Sequence, residues 1–145
     1  MSDQKQAPTS GRTIACVIVT PETTVFDMPA SFVSLPLDDG QRGVGHGHAP
    51  FIGRLGVGEV RATSRQAGGK VARFFVQGGF VEVAHDTVTV ITQRAIPADA
   101  IDLDEARGEL ERVQKSRAVG SEAIEAKLEA SAAARALVRT ASRRS

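Results

Sequence analysis

The chain has no tryptophan and no tyrosine, and its aromatic content is 4%, supplied by six phenylalanines among 145 residues. A protein that stacks on bases needs aromatic platforms, and none is on offer here. The net charge of +1 gives no reason to expect a polyanion either. Nucleic acid is therefore not an expected partner. Cysteine is nearly absent. Cys16 stands alone inside an apolar run, so the chain forms no internal disulfide and builds no metal cluster on thiolates. A buried structural thiol is the expected role. No stretch approaches the ~18 apolar residues of a membrane span, so attachment to a membrane must go through partners. The opening MSDQKQAPTSGR is polar and contains Asp3. It lacks the apolar segment of a secretory signal and the Arg-rich amphipathicity of a mitochondrial one. Residues 1–12 read as a disordered tail on a cytosolic protein. Catalytic motifs are missing too: there is no Walker-type phosphate loop, no Gly-x-Ser-x-Gly and no Cys/His arrangement. Nothing in the residues themselves proposes an enzyme site.

What is present divides in two near residue 98. All six prolines and twelve of the fourteen glycines precede that point, and eleven alanines fill the 47 residues after it. Gly and Pro punctuate short strands, whereas Ala, Glu, Arg and Leu favour helices. The expectation is an α+β chain: an antiparallel sandwich or barrel of short strands over 13–98, then an antiparallel two-helix hairpin over 99–145. Residues 14–19 are continuously apolar, as for a strand covered on both sides. A turn around Asp27–Pro29 precedes a strand at 32–35. Strands at 71–76, 80–83 and 87–91 read as successive hairpins, with Glu82 outward and a turn at Ala84-His85-Asp86. In the α part, Asp102 and Glu105 form a capping box before an apolar stripe of Leu103, Ala106, Leu110 and Val113. Gly120 interrupts, Ser121 caps the second helix, and Ile124, Leu128, Leu137 and Val138 form its apolar side. Alanine buries little area, at ~25 cal/mol per Å², so the hairpin is expected to dock weakly. Residues 99–129 hold nine acids against five Lys or Arg, whereas 130–145 hold four arginines and no acid. Arg135, Arg139 and Arg143 fall four apart on one helix face, suited to a solvated surface or to an acidic partner or phosphate.

The segment from Gly40 to Phe51 is rich in glycine and contains His46 and His48. Its spacing resembles the first metal-binding motif of the cupins. That motif needs a Glu four or five residues after the second His, where this chain has Ile52 and Gly53. A surface loop ending at Ala49-Pro50, with partly solvated histidines and no metal, is the stronger reading.

Several segments, taken in order, resemble the epsilon subunits of F-type ATP synthases. Val19-Thr20-Pro21-Glu22 with Val25-Phe26 is similar to their opening V-x-P-x-x-x-x-F. Gly43-Val44-Gly45-His46-Gly47-His48-Ala49-Pro50-Phe51 resembles their G-I-L-P-G-H-A-P-L. The run from Phe74 to Val83 resembles F-x-V-S-G-G-F-x-E-V. Thr87–Ile91 with Ala95 resembles V-T-V-L-x-x-x-A, and Leu103-Asp104-Glu105-Ala106-Arg107 resembles the start of the family's hairpin. The resemblance spans about 13–140. It implies a ten-stranded sandwich and a two-helix hairpin with no bond-making chemistry. It implies binding to the gamma shaft and the ring of c subunits, peripherally, at the cytoplasmic face of the bacterial inner membrane. The ring contact would fall on Gln41 and His48. Most relatives carry Glu where Gln41 stands and Pro where His46 stands. His46 would add a second imidazole able to tune that contact near neutral pH.

The family's hairpin has two states, folded on the sandwich or extended into the alpha/beta catalytic head, where it blocks ATP hydrolysis. Arg135, Arg139 and Arg143 resemble the basic face that meets the beta subunits. Some bacterial members bind ATP on the folded hairpin. The matching positions here are Asp104, Arg107, Arg135 and Arg139, but Gly108 replaces the motif's final Ala and Gln114 replaces a further arginine. Each lost charge-assisted bond is worth about 1.5–3 kcal/mol, so weak ATP binding or none is expected, and no cofactor is required. Two rivals are a freestanding β-sandwich interaction module and a cupin-like metal enzyme using His46 and His48.

Overall fold

A computed structural model describes residues 12–65 and 68–142. The expected tail falls almost wholly outside the described residues, as does Arg143. The described residues form ten strands, β1 Ile14–Val19, β2 Thr24–Ala30, β3 Phe32–Leu37, β4 Gly40–Gly45, β5 Phe51–Arg54, β6 Val57–Ser64, β7 Lys70–Gln77, β8 Phe80–Ala84, β9 Thr87–Ile91 and β10 Ala95–Pro97. A short 3-10 turn, Ala98–Ala100, leads to α1 Leu103–Lys115 and α2 Ser121–Ser142. One sheet runs β2-β1-β9-β8-β5 and the other β10-β7-β6-β3-β4. The expected ten-strand sandwich with a helical hairpin is what the chain forms. Every strand pair is antiparallel except β1 with β9, which run parallel.

The core lies between the sheets, where Ile14, Cys16 and Ile18 of β1 and Val88 and Val90 of β9 meet Val33, Leu35, Val60, Phe74 and Val76. β1 buries only alternate residues, with Ala15 exposed and Val17 and Val19 half-buried, so it is covered on one face and not on two. Its run is apolar because its outer face also carries apolar side chains. Asp27–Pro29 is not a turn. It lies inside β2, because Pro29 pairs with Ala15 at the sheet edge, where β2's outer side leaves Pro's missing N–H without consequence.

β7 and β8 are not a hairpin. Gly78 and Gly79, at φ +71° and +111°, carry the chain from one sheet to the other, and a Cβ on Gly79 would run into the Ile91 carbonyl. β8 and β9 do form a hairpin, with His85 and Asp86 at φ 51° and 55° in its two-residue turn. Gly40–Gly45 is likewise a strand and not a loop. The Phe32 ring lies across Gly43, filling the space a side chain would need, so the glycines permit pairing with β3.

The helices cover the outer face of the β10-β7-β6-β3-β4 sheet. Phe75 is the sheet's main apolar contribution, and Ile101, Ala106, Ala133, Ala136, Leu137 and Ala141 pack on it. Asp102 caps α1 by accepting the Glu105 N–H at 3.1 Å. Ser121 is the first residue of α2 and not its cap, since the Ile124 N–H bonds to the Gly120 carbonyl at 3.0 Å. Only the second half of α2 docks. Ile124 and Leu128 are 48% and 64% exposed, so the apolar side expected of them faces solvent. Lys127 ties the two helices instead, donating to the Ser116 carbonyl at 2.6 Å and the Gln114 carbonyl at 3.1 Å where α1 ends.

Candidate functional site

Three surfaces carry the residues of interest. The first is the loop between β4 and β5. His48 Nδ1 lies 2.8 Å from the Ala49 carbonyl, and its ring packs on Phe51 with centroids 5.3 Å apart. Arg42 lies over the other ring partner, 4.8 Å from the Phe51 centroid. His46 turns elsewhere, to Asp86 Oδ2 at 3.1 Å. Two imidazoles with different partners do not converge on one point, and the described residues contain no group of three metal-ligating side chains. Gln41 belongs to another neighbourhood. Its amide donates to Ser34 Oγ at 2.8 Å, and it lines a cleft of about 350 Å³ with Glu59, Arg61, Arg139 and Thr140.

The second surface is the seam under α2. Arg73 of β7 donates through Nε to Glu59 Oε2 at 2.7 Å and through Nη2 to Glu59 Oε1 at 3.1 Å. The same Nη2 reaches the Thr140 carbonyl at 2.9 Å. Thr140 is in the last turn of α2, where carbonyls lack helical partners and the dipole is negative, so a guanidinium there both satisfies and neutralises. Both side chains of the pair are nine-tenths buried. Sequence reading passed over them; Glu59 and Arg73 stand on facing strands in one register neighbourhood, a signal visible only once β6 and β7 are paired. Arg135 and Arg139 are exposed and line separate clefts, Arg135 with Gln114, Ile124 and Leu128. Asp104 and Arg107 are exposed on α1 and line neither.

The third surface is the outer face of the other sheet. Phe80, Ile91 and Val19 stand side by side across β8, β9 and β1. Phe80 and Ile91 are both 53% exposed, and Ile52 on neighbouring β5 is 76% exposed. Inside the sandwich, burial and the nearby Asp27 charge push the Cys16 thiol up to about 12. No helix among the described residues is long and apolar enough to cross a membrane.

The family model of the ATP synthase delta/epsilon chain β-sandwich domain matches residues 13–98. The ATP synthase epsilon chain of Rhodopirellula baltica is 53% identical over 93 residues, covering 64% of this chain and 70% of that one. The epsilon chain of Synechococcus sp. (strain JA-2-3B'a(2-13)) is 36% identical over 132 residues, covering 89% and 93%. A chain of the Euglena gracilis mitochondrial ATP synthase, solved as its OSCP/F1/c-ring part, shares the fold with a TM-score of 0.77 at 21% identity, over 94% of this chain and 86% of that one. The Tetrahymena thermophila mitochondrial central stalk and c-ring structure contains a chain with a TM-score of 0.63 at 13% identity, over 88% and 96%. The sandwich match and the near full-length bacterial relative agree with the two-sheet, two-helix architecture, and the chain belongs to the ATP synthase epsilon-chain family, whose members are non-catalytic subunits.

Proposed function

We propose that the chain is a central-stalk subunit that links the gamma shaft to the c-ring of a proton-transporting ATP synthase and restrains ATP hydrolysis through its C-terminal helices. The observation that carries this reading is the asymmetry of the sandwich. One outer face is occupied by the chain's own helices, while the other leaves Phe80, Ile91 and Ile52 exposed, with half-buried Val19 beside them. A face of this kind suits a permanent partner, and gamma is the partner we assign to it. The loop carrying His48 meets the ring, with Gln41 as the second contact, and the subunit sits peripherally at the cytoplasmic face of the bacterial inner membrane. Residues 13–98 act as the anchoring unit and 99–145 as the movable one.

Restraint of hydrolysis falls to α2, whose exposed Arg135 and Arg139 are available to an acidic surface of the alpha/beta head when the hairpin extends. ATP binding at Asp104, Arg107, Arg135 and Arg139 is weak or absent, because the two second-helix arginines line different clefts in the docked form. A pull-down from the native membrane extract tests the whole reading. Gamma and c-ring components should co-purify with the tagged chain, and adding the chain to depleted enzyme should lower its ATPase rate. Recovery of other partners with no rotor component would favour the freestanding interaction module.

A further inference from the structure

Asp86 stands in the β8–β9 turn, and its carboxylate reaches across to the loop between β4 and β5. Oδ1 accepts the Gly47 N–H at 2.7 Å, and Oδ2 lies 3.1 Å from His46 Nδ1. One carboxylate therefore grips two consecutive residues of a loop 39 positions away in sequence. The loop's own backbone closure is slight: the His48 N–H meets the Gly45 carbonyl at 3.2 Å, Gly47 sits at φ +80°, and the remaining contacts, Nδ1 to the Ala49 carbonyl and the ring on Phe51, belong to the His48 side chain. Gly47 has no side chain to pack, and both side chains of the His46–Asp86 pair are over a third exposed. Without a tether, such a segment samples many conformations. Asp86 is itself fixed. It is in the left-handed region, which Asp tolerates, and its carbonyl accepts the Ala15 N–H at 2.9 Å, anchoring the turn to β1. The tether thus runs from the sheet through Asp86 to the residue just before His48.

We propose that Asp86 is a positioning residue that holds the 46–50 loop in the conformation in which His48 meets the rotor ring, with His46 as its second point of attachment. The functional half rests on the ring-contact reading above; the tether itself does not. Loss of the carboxylate should free Gly47 and His48 while leaving the β8–β9 ladder intact. The test uses Asp86→Gly, which deletes the carboxylate yet tolerates the positive φ, and Asp86→Asn, whose amide oxygen still accepts the Gly47 N–H. Amide hydrogen exchange on the full chain should show Gly47 opening at least tenfold faster in Asp86→Gly, rescue in Asp86→Asn, and unchanged protection at Val88 and Val90. Each variant, with His48→Ala beside it, is then assembled into the complete enzyme in membrane vesicles. Protons pumped per ATP hydrolysed should fall in Asp86→Gly and His48→Ala and recover in Asp86→Asn. Unchanged Gly47 exchange in Asp86→Gly overturns the tether. Faster exchange with normal pumping, while His48→Ala pumps poorly, overturns the positioning role alone. Normal pumping in both Asp86→Gly and His48→Ala overturns the positioning role together with the ring-contact reading on which it depends.

Discussion

Arg73 and Glu59 are charges held almost out of water, and such groups persist only when each satisfies the other. Replacing Arg73 by Ala removes the two-pronged partner of Glu59, and Arg61, with its Nε at 3.6 Å from Oε2, is too far to replace it with a strong hydrogen bond. Breaking a buried pair costs about 3–5 kcal/mol, and Arg61 should hold the loss near the lower end. Urea unfolding should therefore show Arg73→Ala about 3 kcal/mol less stable. A paired Arg73→Leu and Glu59→Met replacement should recover most of that, since no charge remains stranded. A loss below about 0.5 kcal/mol in the single variant would mean that the pair is screened as a surface bridge is. Cys16 makes a different prediction. Its thiol ionises near 9.0 when unfolded and near 12 when folded. Below the lower value both states are protonated and the group is silent. Between the two the unfolded chain gives up its proton while the folded chain keeps it, so stability falls as pH rises through that window. Denaturation midpoints at pH 8 and pH 10.5 should differ by more in the wild type than in Cys16→Ala. Alkylation of the native chain at pH 8 should proceed only as fast as the sandwich opens.

At the scale of elements, α2 is two different helices joined end to end. Its first ten residues are exposed apart from half-buried Lys127, whereas Ser131, Ala133, Ala134, Ala136, Leu137, Thr140 and Ala141 are buried. The docked half is mostly alanine, with Leu137 as its one large buried side chain, so the area it removes from water is small. Local opening should follow that gradient. Amide exchange is expected to be fastest over 121–130, slower over 131–141 and slowest in β1, β8 and β9. Equal protection across α2 and the sandwich core would mean that the hairpin does not open separately. Much of this was legible in advance. The Gly/Pro-to-Ala shift near residue 98 marked the change from strands to helices because the two classes need different backbone freedom. Alternation in 80–83 and 87–91 marked one-sided burial. What sequence could not show was which sheet each strand joins. Gly78-Gly79 reads as a hairpin turn locally, and only the approach to the Ile91 backbone makes it a crossing between sheets. Nor did period alone locate Ile124 and Leu128, whose apolar side lies where the described sandwich does not cover it. The His46–Asp86 and Arg73–Glu59 contacts were hidden for the same reason: each joins residues brought together by strand register.

For the whole molecule, the question is whether the sandwich needs its hairpin. The main core lies between the two sheets and includes no residue of α1 or α2, while the helix contacts form a second, smaller cluster centred on Phe75. Deleting 121–145 therefore removes one side of the lesser cluster and leaves the greater one complete. The costs are exposure of part of Phe75 and of the Glu59–Arg73 pair, but water solvates both charges once the helix is gone, so neither is stranded. The truncated chain should fold, bind gamma and support rotor assembly. What it loses is the arginine-bearing arm. If α2 restrains the catalytic head, enzyme assembled with the truncated chain should hydrolyse ATP faster than enzyme with the full chain, while its proton pumping per ATP stays the same. Steady-state ATPase and pumping measured on the same vesicles separate the two roles. An unchanged hydrolysis rate with normal pumping would remove the restraint and leave the coupling. A loss of pumping would mean that the arm also helps to hold the sandwich on the rotor, which a seam this thin in apolar area does not support.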